Sequence, residues 1–346
     1  MRKKVLSWFV LLMQVVVLPG CSDNQVKEGK FENWNTCDSL TSLRNYVTKV
    51  VNKNSDQFIP VEDRIAVFDM DGTLYGELFP VYLEYLMLEY RALDDKTYQA
   101  PEDVKEVAMQ IRDAKANYAT PDVSNFDLVH ARAAAKAYSG MTLAQFKDYT
   151  KAFIENDVEC FTNMKYKDAF YQPMKEVVSY LQNNDFTTYV VSGSDRFLCR
   201  ALVCDVLNIP ENQIIGMDVR LEGSAQEGKD GLSYQFQKDD DLVRTDELLI
   251  KNLKMNKVTA IAKEIGKQPV LSFGNSSGDI SMHVYTTSNN AYESQAYMLV
   301  ADDTERDYAK IEEANKRQKS WQDYGFNIIS MKNDFKTIYG SNVTKK

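Results

Sequence analysis

In "RIAVFDMDGTLYGE", Arg64–Glu77, the apolar run Ile65–Phe68 leads straight into two carboxylates, Asp69 and Asp71. A strand-ending turn is one account of them, since Asp and Gly both favour turns. The other is chemical: one carboxylate attacks and the other moves protons. Three further stretches bear on the choice. Ser192-Gly193 follows the apolar run Thr188–Val191, "GNSSGD" (Gly274–Asp279) follows Val270–Phe273, and Lys257 opens the helix leading into that last run. Phosphoryl transfer needs an in-line nucleophile, donors or cations for the equatorial oxygens, and a proton donor for the leaving oxygen. Asp69 fits the nucleophile, Asp71 the acid/base, and Ser192, Gly193 and Lys257 the phosphate ligands. Asp69, Asp71, Asn275 and Asp279 together form an oxygen-rich set suited to Mg²⁺. Lys257 is preferred to Lys251, Lys254 and Lys263 because it lies closest to the helix start.

Positioning these residues requires a sheet. Short apolar strands alternating with helices predict an α/β fold, a Rossmann-like parallel sheet covered on both faces. Sites in such sheets form beyond the carboxyl ends of the strands, where these stretches fall. A first helix is expected over Asp38–Asn54, with Leu40, Leu43, Tyr46, Val47, Val50 and Val51 on one stripe and Asp38 or Ser39 as N-cap. Residues 79–170 carry helical spacing with almost no strand signal, which predicts an inserted α-helical cap, its last helix capped by Thr142. The core is then 38–78 and 171–346, with a β-hairpin near 218–238, where a Gly-rich turn separates two alternating segments. A last strand is expected at Phe326–Ser330, after which the tail frays.

The quoted motifs, "DMDGT", the serine after "YVV", Lys257 and "GNSSGD", resemble the four motifs of the haloacid dehalogenase-like hydrolase superfamily. The match runs from about Ile65 to Asp279, with the helical insertion where that superfamily places its cap. "YQPMKEVVSYLQNNDFTTYVVSGS" resembles the phosphoserine phosphatase-like branch, and the ending "ISMKNDFKTIYG" is similar to secreted phosphorylcholine phosphatase-like members. The resemblance implies metal binding by the Asp69 side chain, the Asp71 backbone carbonyl and the acidic last motif. Two departures stand out. Many relatives have aspartate where this chain has Asn275, and Glu77 is one residue out of step with the glutamate that reads the amino acid in phosphoserine phosphatases. The expected function is a Mg²⁺-dependent phosphatase for small phosphomonoesters, phosphoserine- or phosphocholine-like. A phosphomutase of the same superfamily and a non-catalytic binding lipoprotein are the alternatives.

The 346-residue chain carries a formal charge of −9, which argues against nucleic acid as a partner. "MRKK" followed by a short apolar run reads as a signal segment over residues 1–20. It ends in "LPGC", which resembles a bacterial lipobox with Cys21 as the lipidated residue, followed by a tether over 21–37. An exported protein is expected, anchored to a membrane and facing the periplasm or the cell surface. Cys37, Cys160, Cys199 and Cys204 show no disulfide or zinc spacing. Tyr75, Tyr82, Tyr85 and Tyr90 serve either packing, which is favoured, or an aromatic wall for a quaternary ammonium, with Glu77 or Glu84 adding charge. Neither His130 nor His283 is needed for the chemistry.

Overall fold

The computed structural model describes residues 26–77, 81–117, 119 and 121–346. The expected signal segment, Cys21 and Pro80 lie outside them. Among the described residues no helix is long and apolar enough to cross a membrane.

Helix α1 (Asp38–Val51) buries the predicted stripe, but its N-cap is Cys37, which makes no side-chain capping bond. Strand β1 (Ile65–Phe68) is buried at all four positions. The chain then runs through four helices: α2 (Leu83–Leu93), α3 (Glu102–Ala116), α4 (Phe126–Ala137) and α5 (Leu143–Phe153). Thr142 caps α5 in a complete capping box with Gln145. After the short β2 (Phe161–Thr162) come α6 (Gln172–Asn183), β3 (Thr187–Asp195), α7 (Arg196–Leu207), β4 (Ile214–Gly223) and β5 (Leu242–Ile250). Helix α8 (Met255–Ala260) widens into a π-helical turn over Ile261–Ile265 and leads to β6 (Leu271–Gly274) and α9 (Ile280–Thr287). Then follow β7 (Gln295–Val300), α10 (Ile311–Asp323), β8 (Asn327–Ser330), α11 (Met331–Asp334) and β9 (Thr344–Lys345).

Among the described residues these strands form a seven-stranded sheet in the order β5-β4-β3-β1-β6-β7-β8. All neighbours are parallel except β4 and β5. This is the expected α/β fold. The chain leaves β1 toward β3 and later returns to its other side at β6, so the crevice above β1 is the topological switch point. Alternate residues of β1 serve opposite layers. Ala66 and Phe68 join the main core with α1, α6 and α7, whereas Ile65 and Val67 pack beneath α8 and α9. Parallel register aligns Phe68, Phe273 and Tyr297, whose rings stack at 4.4 and 4.9 Å just behind the strand ends.

The structure corrects three expectations. The partner of β4 is Leu242–Ile250 rather than a segment ending near 238. The intervening stretch leaves Leu232 and Phe236 exposed and is organised around Asp240, which accepts from Ala225 N, Gln237 N and the Tyr234 hydroxyl. Residues 26–37 are not a free tether. Trp34 is buried, its indole N–H donating to Pro173 O at 2.9 Å, and Lys27 N is held by Asn184 Oδ1 at 2.8 Å. The tail does not fray, because Ile338 and Tyr339 are buried and β9 pairs with β2.

A buried acid between β7 and α10 holds that tail. Asp307 accepts from the Tyr339 hydroxyl at 2.9 Å and from Tyr308 N at 2.7 Å. Burial pushes its pKa up to about 7, with those two bonds and Lys345 pulling it down and Asp303 pushing it further up. The folded state therefore keeps a proton that an unfolded aspartate has already released, and stability falls as pH rises from about 4 to about 7. Asp307→Asn removes this dependence. In urea unfolding it should gain on the wild type between pH 5 and pH 8, by about 2–3 kcal/mol. A difference that stays constant with pH refutes the assignment.

Candidate active site

The backbone of Asp69 is still in the ladder, its N–H donating to Phe273 O at 2.9 Å. The next residues fold back at once. Met70 O accepts from Thr73 N, Leu74 N and Tyr75 N, and Gly72 N donates to Tyr75 O at 2.7 Å. Gly72 sits at φ +79°, which glycine adopts without strain. This turn places both carboxylates over the carboxyl end of β1, each only 7% exposed.

Lys257, at the third position of α8, is completely buried. Its Nζ donates at 2.6 Å to Asp69 Oδ1 and at 2.6 Å to Asp279 Oδ1. The other oxygen of Asp279 accepts Asn275 N at 3.1 Å, Ser276 N at 3.0 Å and Ser276 Oγ at 3.1 Å. Gly274 permits this closure, because a β-carbon there would lie 2.6 Å from Asp279 Cβ. One ammonium thus faces two carboxylates. Burial opposes the charge on each, yet Lys257 holds Asp279 below its ordinary value, and the two acids keep the lysine charged. Asp69 goes the other way, to about 7, because burial and the charge of Asp279 outweigh its share of Lys257. Burial and the charge of Asp69 raise Asp71 well above the usual carboxylate range. Asp71 Oδ2 accepts the Ser194 hydroxyl at 2.7 Å, while its Oδ1 is buried without a hydrogen-bond partner.

Asp69, Asp71 and Lys257 line a cleft of about 260 Å³ to which Gly193, Ser194, Lys254, Ser276 and Gly278 also contribute. Glu77, Tyr82, Asn275 and Arg317 continue into a second lobe of about 130 Å³, walled by Leu299, Lys310 and Trp321. Asp69, Asp71, Gly193, Lys257, Asn275, Glu77 and Tyr82 are therefore brought together as the sequence predicted. Ser192 is fully buried, its Oγ accepting Ser194 N at 3.0 Å and its carbonyl held by Asn252 Nδ2 at 3.0 Å. The cleft is lined by its neighbours Gly193 and Ser194 instead. Asp279 is enclosed behind Lys257 and the loop.

The tyrosines do not form a wall. Tyr75 is core, its hydroxyl donating to Tyr166 O at 2.6 Å and its ring edge-on to Phe170. Tyr85 donates to Asp127 Oδ1 at 2.8 Å, and Tyr90 is exposed. Only Tyr82 of the four lines the cleft. His283 is buried beside Ser272 Oγ at 2.7 Å.

The sequence reading missed a buried polar layer between the inserted helices and the sheet edge. Glu84 of α2 accepts Lys251 Nζ at 2.7 Å and Asp195 N at 3.3 Å, and lies 3.6 Å from His130 Nδ1. Burial lowers the His130 pKa to about 4, leaving the ring neutral. Arg244 of β5 donates to Asp195 Oδ2 at 2.6 Å and stacks 3.9 Å over the Phe146 ring of α5. The available signal was a charge inside an apolar helical run, Glu84 in "YLEYLMLEY".

Among the described residues no three His, Cys, Asp or Glu side chains gather as a metal-binding group. The oxygen-bearing side chains lining the cleft include the carboxylates of Asp69, Asp71, Glu77, Glu84 and Asp127 and the amide of Asn275. Asp71 Oδ1 and Asn275 Oδ1 are both buried without partners, and such oxygens suit a hard cation that keeps part of its water shell.

A protein of unknown function from Anaerococcus prevotii DSM 20548 superposes with a TM-score of 0.50 at 15% identity, covering 91% of this chain and 97% of its own. A phosphoserine phosphohydrolase-like protein from Francisella tularensis subsp. tularensis SCHU S4 gives 0.40 at 16% identity, covering 77% and 94%. Cytosolic 5'-nucleotidase IIIB bound to cytidine gives 0.47 at 12% identity, covering 83% of each chain. Comparison with curated proteins finds no match. The family model for haloacid dehalogenase-like hydrolases matches residues 66–283, from within β1 to His283, and so spans the turn, the lysine and the closing loop. The chain belongs to the haloacid dehalogenase-like hydrolases.

Proposed function

We propose that this hydrolase is a Mg²⁺-dependent phosphatase that cleaves small phosphomonoesters through an aspartyl-phosphate. The observation that carries the reading is the pair Asp69 and Asp71 at one cleft, the first hydrogen-bonded to Lys257 and the second to Ser194. Asp69 attacks phosphorus as the bond to the leaving oxygen breaks. Asp71, whose surroundings favour its protonated form, gives that oxygen a proton. Asp71 then takes a proton from the water that cleaves the acyl phosphate, releasing phosphate and restoring Asp69. Lys257 and the Gly193–Ser194 segment lie where the transferring group's charge must be spread. The Asp69 carboxylate, the Asp71 backbone carbonyl and the Asn275 amide would hold Mg²⁺, with Asp279 fixing the loop behind them. The chemistry it supplies when bound is neutralisation of the phosphoryl oxygens. The helices α2–α5 act as the cap over this cleft, and the second lobe beside Trp321 gives the leaving alcohol room. An N-terminal signal ending at a lipidated Cys21 would hold the enzyme on a membrane, facing the periplasm or the cell surface.

Asp69→Asn tests the nucleophile. Turnover of p-nitrophenyl phosphate with Mg²⁺ should fall by at least about 10³-fold with the fold intact, and equal rates in both proteins would sink the assignment. Lys257→Met leaves Asp69 and Asp279 facing each other without their shared cation. It should cost about 3–5 kcal/mol in urea unfolding as well as activity; a stable, inactive variant would limit the lysine to substrate binding. For the location, Cys21→Ser should move the protein from the membrane to the soluble fraction of the exporting cell, and unchanged fractionation counts against lipidation.

A further inference from the structure

Glu77 is enclosed where the two lobes meet, and both its oxygens are engaged. Oε1 accepts the Tyr82 hydroxyl at 2.7 Å and Oε2 accepts Asn275 Nδ2 at 2.9 Å. A carboxylate only accepts hydrogen bonds, so the Asn275 amide must turn its NH₂ toward Glu77 and its carbonyl oxygen the other way. That oxygen, Asn275 Oδ1, is buried and has no hydrogen-bond partner. The geometry points to Glu77 as a positioning residue that fixes Asn275 with Oδ1 presented as a metal ligand; this rests on the Mg²⁺ reading above.

The packing around the pair supports the assignment. A β-carbon on Gly72 would lie 1.9 Å from the Asn275 amide nitrogen and 2.8 Å from Glu77 Oε2. The glycine of the nucleophile turn therefore makes room for this amide–carboxylate pair as well as providing the positive φ. Chemically, a carboxylate behind a ligand fixes its orientation and strengthens it as a donor. A neutral amide whose N–H groups are drawn toward a carboxylate holds more negative charge on its oxygen. Glu77 thereby supplies at one remove the charge that many relatives place directly on the ligand as aspartate. It also explains why Glu77 stands one residue out of step with a substrate-reading glutamate: its oxygens serve Asn275 and Tyr82.

The test is Mg²⁺ affinity by isothermal titration calorimetry on the purified full chain, with thermal melting to verify folding. Glu77→Leu should weaken Mg²⁺ binding by about 10–100-fold. Glu77→Gln, which keeps an acceptor for Asn275 Nδ2, should lose less than about 10-fold. The decisive comparison uses Asn275→Asp, which has no NH₂ to be held and places a like charge against Glu77. In that background both Glu77 variants should leave affinity unchanged or tighten it, and Glu77→Gln carries the comparison if Glu77→Leu does not fold. Equal weakening in both backgrounds means that Glu77 supports the fold only and overturns the proposal. So does Glu77→Leu that binds Mg²⁺ normally and raises KM for substrate. A wild-type protein that binds no Mg²⁺ overturns the metal reading and this proposal together. Loss of activity in Asp69→Asn would still identify the nucleophile.

Discussion

The ammonium of Lys257 lies 2.6 Å from an oxygen of Asp69 and 2.6 Å from an oxygen of Asp279, and all three groups are buried. Removing such ions from water costs several kcal/mol each, and only close pairing with every remaining oxygen engaged offsets it. The surrounding structure follows from that demand. Asp279 meets it with two loop amides and a hydroxyl, which curl residues 275–279 into a tight turn. The same turn offers Gly278 O to Lys254 N at 2.9 Å. Lys254 is thereby held at φ 55° and ψ −124°, a conformation sparsely populated by non-glycine residues, at the very start of α8. Lys257 sits one turn further on, so the ion triad, the loop and the helix start determine one another. Asp69 is the member of the triad that also lines the cleft.

Much of this was legible because it is local. Ile65–Phe68 is a fully buried strand and reads as one, and Thr142 with Gln145 is a capping box visible in four letters. Lys257 is the lysine that meets Asp69 and Asp279, but nearness to the helix start does not single it out, because Lys254 is the N-cap of α8 and lies closer. What was not legible depends on partners distant in sequence. Arg244 looks like an ordinary charge on a polar edge strand, and only Asp195, 49 residues away, makes it a buried one. The β4 partner was misplaced because 231–237 carries an apolar-and-polar alternation that the fold leaves in solvent, whereas "LVRTDELLI" gains its role from register. The tail followed the same rule: two residues of β9 against β2 suffice to fix it, and no period announces them. Ser192 and Ser194 show the limit at the site. The motif pointed to the right loop, but a two-residue difference decides which hydroxyl reaches Asp71, and backbone hydrogen bonding sets it.

The seam between the inserted helices and the sheet is built from charges rather than from apolar side chains alone. Glu84 meets Lys251 and an amide of Asp195, Arg244 meets Asp195 and Phe146, and Tyr82 meets Glu77. Main-chain bonds between residues 140–141 and Arg244 close the same side. An apolar seam costs about 25 cal/mol for every Å² exposed when its faces part, with nothing returned. A charged seam differs, since each separated ion regains the hydration it gave up on burial. This arrangement is then held by geometry more than by depth of energy.

One hydrogen-bond chain crosses that seam at the cleft itself. Tyr82 precedes α2, Glu77 follows the turn after β1, and Asn275 follows β6, linked in that order at 2.7 and 2.9 Å. A hydrogen bond to a charged group contributes about 1.5–3 kcal/mol. Losing the Tyr82 bond when α2 moves away would leave Glu77 with Asn275 as its one remaining donor of the two. The carboxylate is then held by one hydrogen bond fewer, and so is the Asn275 amide bonded to it. Position of the inserted helices and orientation of Asn275 are therefore not independent variables: the arrangement that encloses the cleft is the one in which the amide oxygen is held in place.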